Sequence, residues 1–443
     1  MKNTITPEPV VILGNKMTSY RWIICSLLFF ATTVNYLDRT VISLLKGTLE
    51  KEFTWTEGDY ADIVIAFQFA YAIGMLIAGR VVDKIGTKMG YALSIFLWSI
   101  AAMAHALVSS TFGFLVARAS LGVTEAGNFP AAIKTTAEWF PKKERAFATG
   151  IFNSGTNIGA ILAPLSVPFI AAQFGWRWAF IITGGFGFLW LIFWFLFYEK
   201  PAKQKRLGKA EFDFIHSDQD EVKPHEDQGR KVSWIELLGF RQTWSFIMGK
   251  LFTDPIWWFY LFWLPAFLKA QYNIEGTAAA LPVAAVYTLS SVGSIFGGWL
   301  PLWFIKKGWP VFRSRKTSML IYAFGVIPVV FAQYLGQISM WWAVLIIGIA
   351  TAAHQAWSAN MFTTVSDMFP KKAIGSVIGI GGFAGALGGM AFAFGAGKLF
   401  DYYKALGTLQ VGYYIVFIVC GCSYLIAWLI MHMLVPRMQK API

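Results

Sequence analysis

Four charged side chains, Asp38, Arg39, Arg118 and Glu125, lie inside long apolar runs of the sequence. Each charge opposes burial at the centre of a membrane helix by roughly 2.5–3.5 kcal/mol, so the four together oppose it by roughly 10–14 kcal/mol. Apolar packing gives no reason to keep them. They must face a polar cavity or pair with one another. Arg118 and Glu125 are seven residues apart and share a helix face two turns apart, with Asn128 following Glu125 at i+3. Asp38 and Arg39 are adjacent and therefore about 100° apart around a helix. One of them can face the span carrying Glu125 while the other faces a cavity. The Arg39 guanidinium can hold two carboxylate oxygens and does not lose its charge. Asp38 and Glu125 can exchange a proton, because the proton affinity of a buried carboxylate depends on solvation and on neighbouring cations. Arg118, approaching and leaving Glu125, would set when that proton is held. The chemistry such residues could do is anion binding coupled to proton movement.

These residues need a membrane to be buried in, and the composition supplies one. The 443 residues are 56% hydrophobic and 17% aromatic, and only 14% are charged. Soluble domains carry about 25% charged residues. Mean hydropathy is +0.55. Three cysteines exclude a disulfide scaffold, and 40 Phe with 20 Trp exclude a disordered chain. The apolar runs have the length of helices crossing a ~30 Å core rather than that of barrel strands. The fold class read from this is an all-α integral membrane protein. Its twelve spans fall near 20–45, 58–80, 88–108, 111–136, 145–171, 177–198, 245–270, 279–304, 317–335, 339–366, 373–399 and 408–434.

The net charge of +13 does not point to nucleic acid. Its cations cluster in alternate short loops: Arg80, Lys84 and Lys88; Lys142, Lys143 and Arg145; Lys306, Lys307, Arg313, Arg315 and Lys316; Lys371 and Lys372. The cation-rich side is expected to be cytoplasmic, and with it both termini. A hydrophilic loop splits the spans six and six. The expected organisation is a tail over 1–19, a first six-helix bundle over 20–198, a linker over 199–243, a second bundle over 244–435 and a tail over 436–443. Ser233 and Glu236 in the linker form a capping box that opens a short interfacial helix. An internal repeat supports the division. Phe140-Pro141-Lys142-Lys143 recurs 229 residues later as Phe369-Pro370-Lys371-Lys372. At the same offset Glu138 meets Asp367, Gly150 meets Gly379, Glu125 meets His354 and Asn128 meets Trp357. Two related halves rocking around a central site are a transporter architecture.

Gly79-Arg80-Val81-Val82-Asp83-Lys84-Ile85-Gly86-Thr87-Lys88 resembles the loop signature of the major facilitator superfamily, with Thr87 where a cation is usual. Within that superfamily, Asn35-Tyr36-Leu37-Asp38-Arg39 resembles the anion:cation symporters. So does Arg118 followed by Gly122-Val123-Thr124-Glu125-Ala126-Gly127-Asn128-Phe129-Pro130 and Glu138-Trp139-Phe140-Pro141. Ala353-His354-Gln355-Ala356 with Ser366-Asp367-Met368-Phe369 is similar to the hexuronate transporters. The likeness runs over nearly the whole chain. It implies two pseudo-symmetric six-helix bundles in a bacterial cytoplasmic membrane, carrying a hexuronate anion with protons by alternating access. Sodium stays open as the coupling ion. No cofactor, no nucleic-acid partner and a monomer are expected. The resemblance also implies that Arg39 contacts the anion and that Asp38 and Glu125 carry protons.

A sugar acid requires hydroxyl partners and an aromatic face. The candidates are Tyr36, Gln68, Tyr71, Asn128, His354, Gln355, Trp357 and Asn360, with Asn153, Asn157, Trp257 and Ser358 beside them. Tyr36 and Tyr71 match positions lining the site in related symporters, and Trp357 could stack on the sugar ring. Gly79, Asp83, Lys84, Gly86 and Arg145 are the gating candidates, with Asp83 facing helix N-termini or Arg145 on the cytoplasmic side. Lys250 and Asp254 are expected as a pair at the cytoplasmic mouth, and His105 as an interfacial residue. A rival reading keeps the fold and carries an aldonate, glucarate or aromatic acid. Another makes the protein a membrane sensor. No nucleophile–base pair, metal motif or phosphate loop supports an enzyme.

Overall fold

The computed structural model describes residues 17–218, 232–274 and 277–442. The tail expected over 1–19 and the middle of the linker lie largely outside these residues. Helices dominate: α1 Tyr20–Phe53, α2 Glu57–Ile85, α3 Thr87–Ala104, α4 Thr111–Glu125, α5 Asn128–Trp139, α6 Lys142–Phe174, α7 Trp176–Phe197, α8 Lys209–His216, α9 Trp234–Leu238, α10 Arg241–Tyr272, α11 Thr277–Lys306, α12 Val311–Val326, α13 Ala332–Gly336, α14 Met340–Met368, α15 Ile374–Ala405 and α16 Leu409–Leu434. With α4–α5 and α12–α13 counted as single rods, and α8 and α9 set aside in the linker, twelve long rods remain. Nine of them, among the described residues, are long and apolar enough to cross a membrane. The other three are α1, α4–α5 and α10. These are the rods that carry Asp38 and Arg39, Arg118 and Glu125, and Lys250 and Asp254.

The packing has a two-fold pattern. In the first half α1 packs on α6 and α2 on α4; in the second, α10 packs on α15 and α11 on α14. The halves meet along two matched seams, α2 with α15 and α6 with α11. Both seams depend on glycine. A Cβ on Gly79 would lie 2.2 Å from the Gly375 carbonyl oxygen, and one on Gly150 would lie 2.3 Å from that of Ser294. Backbones therefore touch where any side chain would hold them apart.

The repeat is visible in helix boundaries as well. Residues 111–139 form α4 and α5, and the segment 229 positions on, 340–368, forms the continuous α14. The break at Ala126–Gly127 has a local cause. Pro130 has no N–H to give to the Ala126 carbonyl, and its ring crowds that carbonyl. The repeat position holds Ala359, and α14 runs through. Glu125 thus sits at the last residue of α4, beside an interrupted ladder.

Candidate functional site

A cavity of about 490 Å³ lies between the halves, lined from α1, α2, α4, α5, α6, α10, α11, α14 and α15. Its lining reaches Tyr60, Pro265 and Val283, toward the ends of their helices opposite the basic loops. Toward the basic loops it reaches only as far as Met75, Lys250, Phe362 and Gly382.

Arg39 lines this cavity. Its Nε donates to Glu125 Oε2 at 3.0 Å, and one Nη lies 3.4 Å from Asn35 Oδ1. The guanidinium is held over the rings of Tyr36 and Tyr71, each at 4.7 Å, and Phe67 at 5.2 Å. Such cation–π contacts position a guanidinium without spending its hydrogen-bond donors. Glu125 is fully buried behind it, and its Oε1 has no hydrogen-bond partner among the described residues. The expected partner of Glu125 was Arg118. Its ion-pair partner is instead Arg39, reached from α1, because the α4 face that carries Glu125 looks onto α1. Arg118 donates to the Arg39 carbonyl at 3.2 Å and lies over Phe67 at 4.5 Å. Its Nε and Nη1 are buried without a partner among the described residues.

Asp38 is buried and does not line the cavity. Among the described residues neither oxygen has a hydrogen-bond partner, and the Thr183 hydroxyl of α7 is its polar neighbour. The 100° step from Arg39 turns it toward α7 rather than the span carrying Glu125.

Of the other candidates, Tyr36, Gln68, Tyr71, His354 and Gln355 line the cavity, as do Asn153, Trp257 and Ser358. Gln355 Oε1 accepts from Asn153 Nδ2 at 2.7 Å, joining the two halves. His354 stacks on Trp257 with ring centroids 5.1 Å apart, and its Nδ1 is 2.5 Å from the Tyr424 hydroxyl. Three candidates lie elsewhere. Asn128 is fully buried, accepting from the Tyr91 hydroxyl at 2.6 Å. Trp357 is fully buried edge-on to Tyr424 at 5.5 Å, so it cannot stack on a ligand. Asn360 donates to the Gly297 and Ala356 carbonyls at 2.6 and 3.0 Å, tying α14 to α11. All three lie on their helices turned from the cavity, a rotation that spacing alone does not fix.

Lys250 and Asp254 form an i,i+4 pair at 2.6 Å. They are lining residues of the cavity rather than residues of a mouth. The sequence signal was present, since both are charges inside an apolar run; the misplaced end of the span hid it. His105 is likewise no interfacial residue: it is fully buried and stacked on Phe180 at 4.9 Å.

The basic end is shut by the gating candidates. Asp83 accepts from Lys134 at 2.9 Å and, across the seam, from the Gly375 and Ser376 N–H groups at 3.1 and 2.6 Å and the Ser376 hydroxyl at 2.7 Å. A carboxylate there satisfies free N–H groups in the first turn of α15. Arg145 does not meet Asp83. It donates to the Phe140 and Ala137 carbonyls, each at 3.1 Å, and across the halves to the Ser366 carbonyl at 2.6 Å, with Asp367 at 3.6 Å. Gly86, at φ +85°, ends α2 and begins α3 in a conformation L side chains avoid. Lys84 is exposed.

Two six-rod halves, a central charged cavity and one shut end define a multi-pass membrane transporter. The family model of the Major Facilitator Superfamily matches residues 28–393, and the chain belongs to that family. It is 32% identical over 391 residues to the hexuronate transporter of Escherichia coli K12, covering 87% of this chain and 89% of that one. It is 33% identical over 291 residues to the galacturonate transporter of Dickeya chrysanthemi, covering 66% and 84%. A D-galactonate transporter of E. coli CFT073 is 27% identical over 386 residues, covering 86% and 89%. Among solved structures, the proton:xylose symporter XylE bound to 6-bromo-6-deoxy-D-glucose superposes with a TM-score of 0.75 at 18% identity, covering 95% and 97%.

Proposed function

We propose that the protein is a symporter that carries a hexuronate monoanion of the galacturonate or glucuronate class together with a proton. The observation that carries this is Arg39: a cavity-lining guanidinium fixed by Tyr36 and Tyr71 and balanced by the buried Glu125. An incoming carboxylate competes with Glu125 for the fork, and a proton on Glu125 lets it go. The volume falls within the roughly 300–1,000 Å³ of small-ligand pockets. Gln68, Ser358, Gln355 and Asn153 offer hydroxyl partners, and Trp257 an apolar face. Relatives named for hexuronate and galacturonate support this substrate class.

Charge balance supports the proton. Among the described residues, Arg39, Arg118 and Lys250 face Asp38, Glu125 and Asp254 in and behind the cavity wall. The empty site is balanced, so a bound monoanion leaves one negative charge unmatched. One proton on Glu125 or Asp38 cancels it and permits closure around a desolvated site. With the basic end cytoplasmic, the contacts of Asp83 and Arg145 that close that end support an outward-facing state. Opening the basic end to higher pH releases proton and substrate. The test is uptake of labelled galacturonate into proteoliposomes with and without an imposed pH gradient. Gradient-driven accumulation, competed by glucuronate, is expected. Accumulation driven by sodium alone, or competition only by aldonates, overturns the reading.

A further inference from the structure

The Lys250–Asp254 pair is not needed for α10 to fold. Exposed i,i+4 pairs contribute only a few tenths of a kcal/mol to a helix, while charges in a membrane interior oppose insertion. Both residues line the same cavity as Arg39, but on the opposite half of the molecule. Tyr36 and Tyr71, which hold the Arg39 guanidinium over their rings, line that cavity together with both members of the pair. The Lys250 ammonium is fixed over the Phe362 ring at 4.4 Å. Asp254 is backed against α15: a Cβ on Gly385 would lie 2.3 Å from its Oδ2. The carboxylate is the more open member of the pair, its side chain 17% exposed against 9% for the lysine.

We infer that Lys250 and Asp254 form the subsite for the end of the substrate remote from its carboxylate, and that Asp254 makes the site select sugar monoacids over sugar diacids. This rests on the uronate reading above. A carboxylate with an ammonium at 2.6 Å can accept from two neighbouring hydroxyls while the ammonium donates to a third oxygen. A diacid such as galactarate brings a second carboxylate to the same place. There it meets the negative charge of Asp254, and the charge of Lys250 is already matched. Without Asp254, Lys250 would be free to hold that second carboxylate.

The test is calorimetric titration of galacturonate and galactarate into the purified protein and its Asp254→Asn and Lys250→Gln variants, each checked for a monodisperse elution profile. The wild type is expected to favour galacturonate by roughly tenfold or more, the scale of a like-charge contact in a desolvated site. Asp254→Asn is expected to narrow or invert that ratio by at least about tenfold, and Lys250→Gln to weaken both acids without favouring the diacid. A ratio within about twofold of wild type in Asp254→Asn overturns the inference, as does a wild type that binds both acids equally. Should the single variants not fold, Lys250→Gln with Asp254→Asn leaves neither charge alone, and it too must lose the preference. A wild type that binds neither acid overturns the uronate reading itself; one that binds galacturonate while the variants keep its ratio overturns only the inference drawn from the pair.

Discussion

At the scale of single residues, the site is decided by which charge faces which. Arg39 reaches Glu125 at 3.0 Å, while Arg118 contacts the Arg39 carbonyl and the Phe67 ring. Glu125→Gln removes the proposed proton-binding group and the counter-charge to Arg39 together. It is expected to abolish pH-driven accumulation of galacturonate while sparing exchange of internal for external substrate; normal accumulation by this variant would refute the coupling role. Arg39→Lys keeps the charge and loses the planar fork, so affinity is expected to fall by roughly tenfold or more, read as the half-saturating concentration in exchange. The two tryptophans separate cleanly. Trp257→Ala removes a cavity wall and should weaken binding several-fold. Trp357→Phe changes a fully buried ring and should lower the melting temperature with affinity unchanged.

At the scale of elements, the halves close because glycine-lined helices touch and because Asp83 caps α15. The four contacts to Asp83 join α2, α5 and α15 in one network. Charge-assisted hydrogen bonds of this kind contribute about 1.5–3 kcal/mol each when buried. Asp83→Asn keeps the size and removes the charge. It is expected to shift the conformational equilibrium toward the state open at the basic end by roughly tenfold. A single cysteine placed at the α2–α15 seam reports this as faster labelling; an unchanged labelling rate would show that the glycine packing alone sets closure. The capping of α9 by Ser233, whose hydroxyl accepts from Glu236 N–H at 3.1 Å, was legible from four residues because that hydrogen bond is local.

At the scale of the whole molecule, a monoanion entering with one proton moves no net charge. In proteoliposomes a pH gradient should therefore drive accumulation, while a membrane potential imposed by potassium and valinomycin should leave the initial rate within about twofold. A strong dependence on potential would require a second proton, with Asp38 and Glu125 both loaded in the cycle.

The sequence alone determined the class of fold, the twelve spans, the duplication and the residues lipid would reject. Those follow from one-dimensional quantities: length of apolar run, position of charge, and a repeat at fixed offset. The pairing expected for Arg118, the cavity roles expected for Asn128, Trp357 and Asn360, and the peripheral place given to Lys250, Asp254 and His105 did not follow. Each depends on how far a helix is rotated about its axis and which neighbour it meets. In a chain this apolar, hydrophobic periodicity carries little of that rotation, since lipid and protein core are nearly equivalent surroundings. Only the tertiary packing decided it. Glycine contacts and the Pro130 break set the helices in place, turning Arg39 toward the cavity with Glu125 behind it, and Asp38 toward α7.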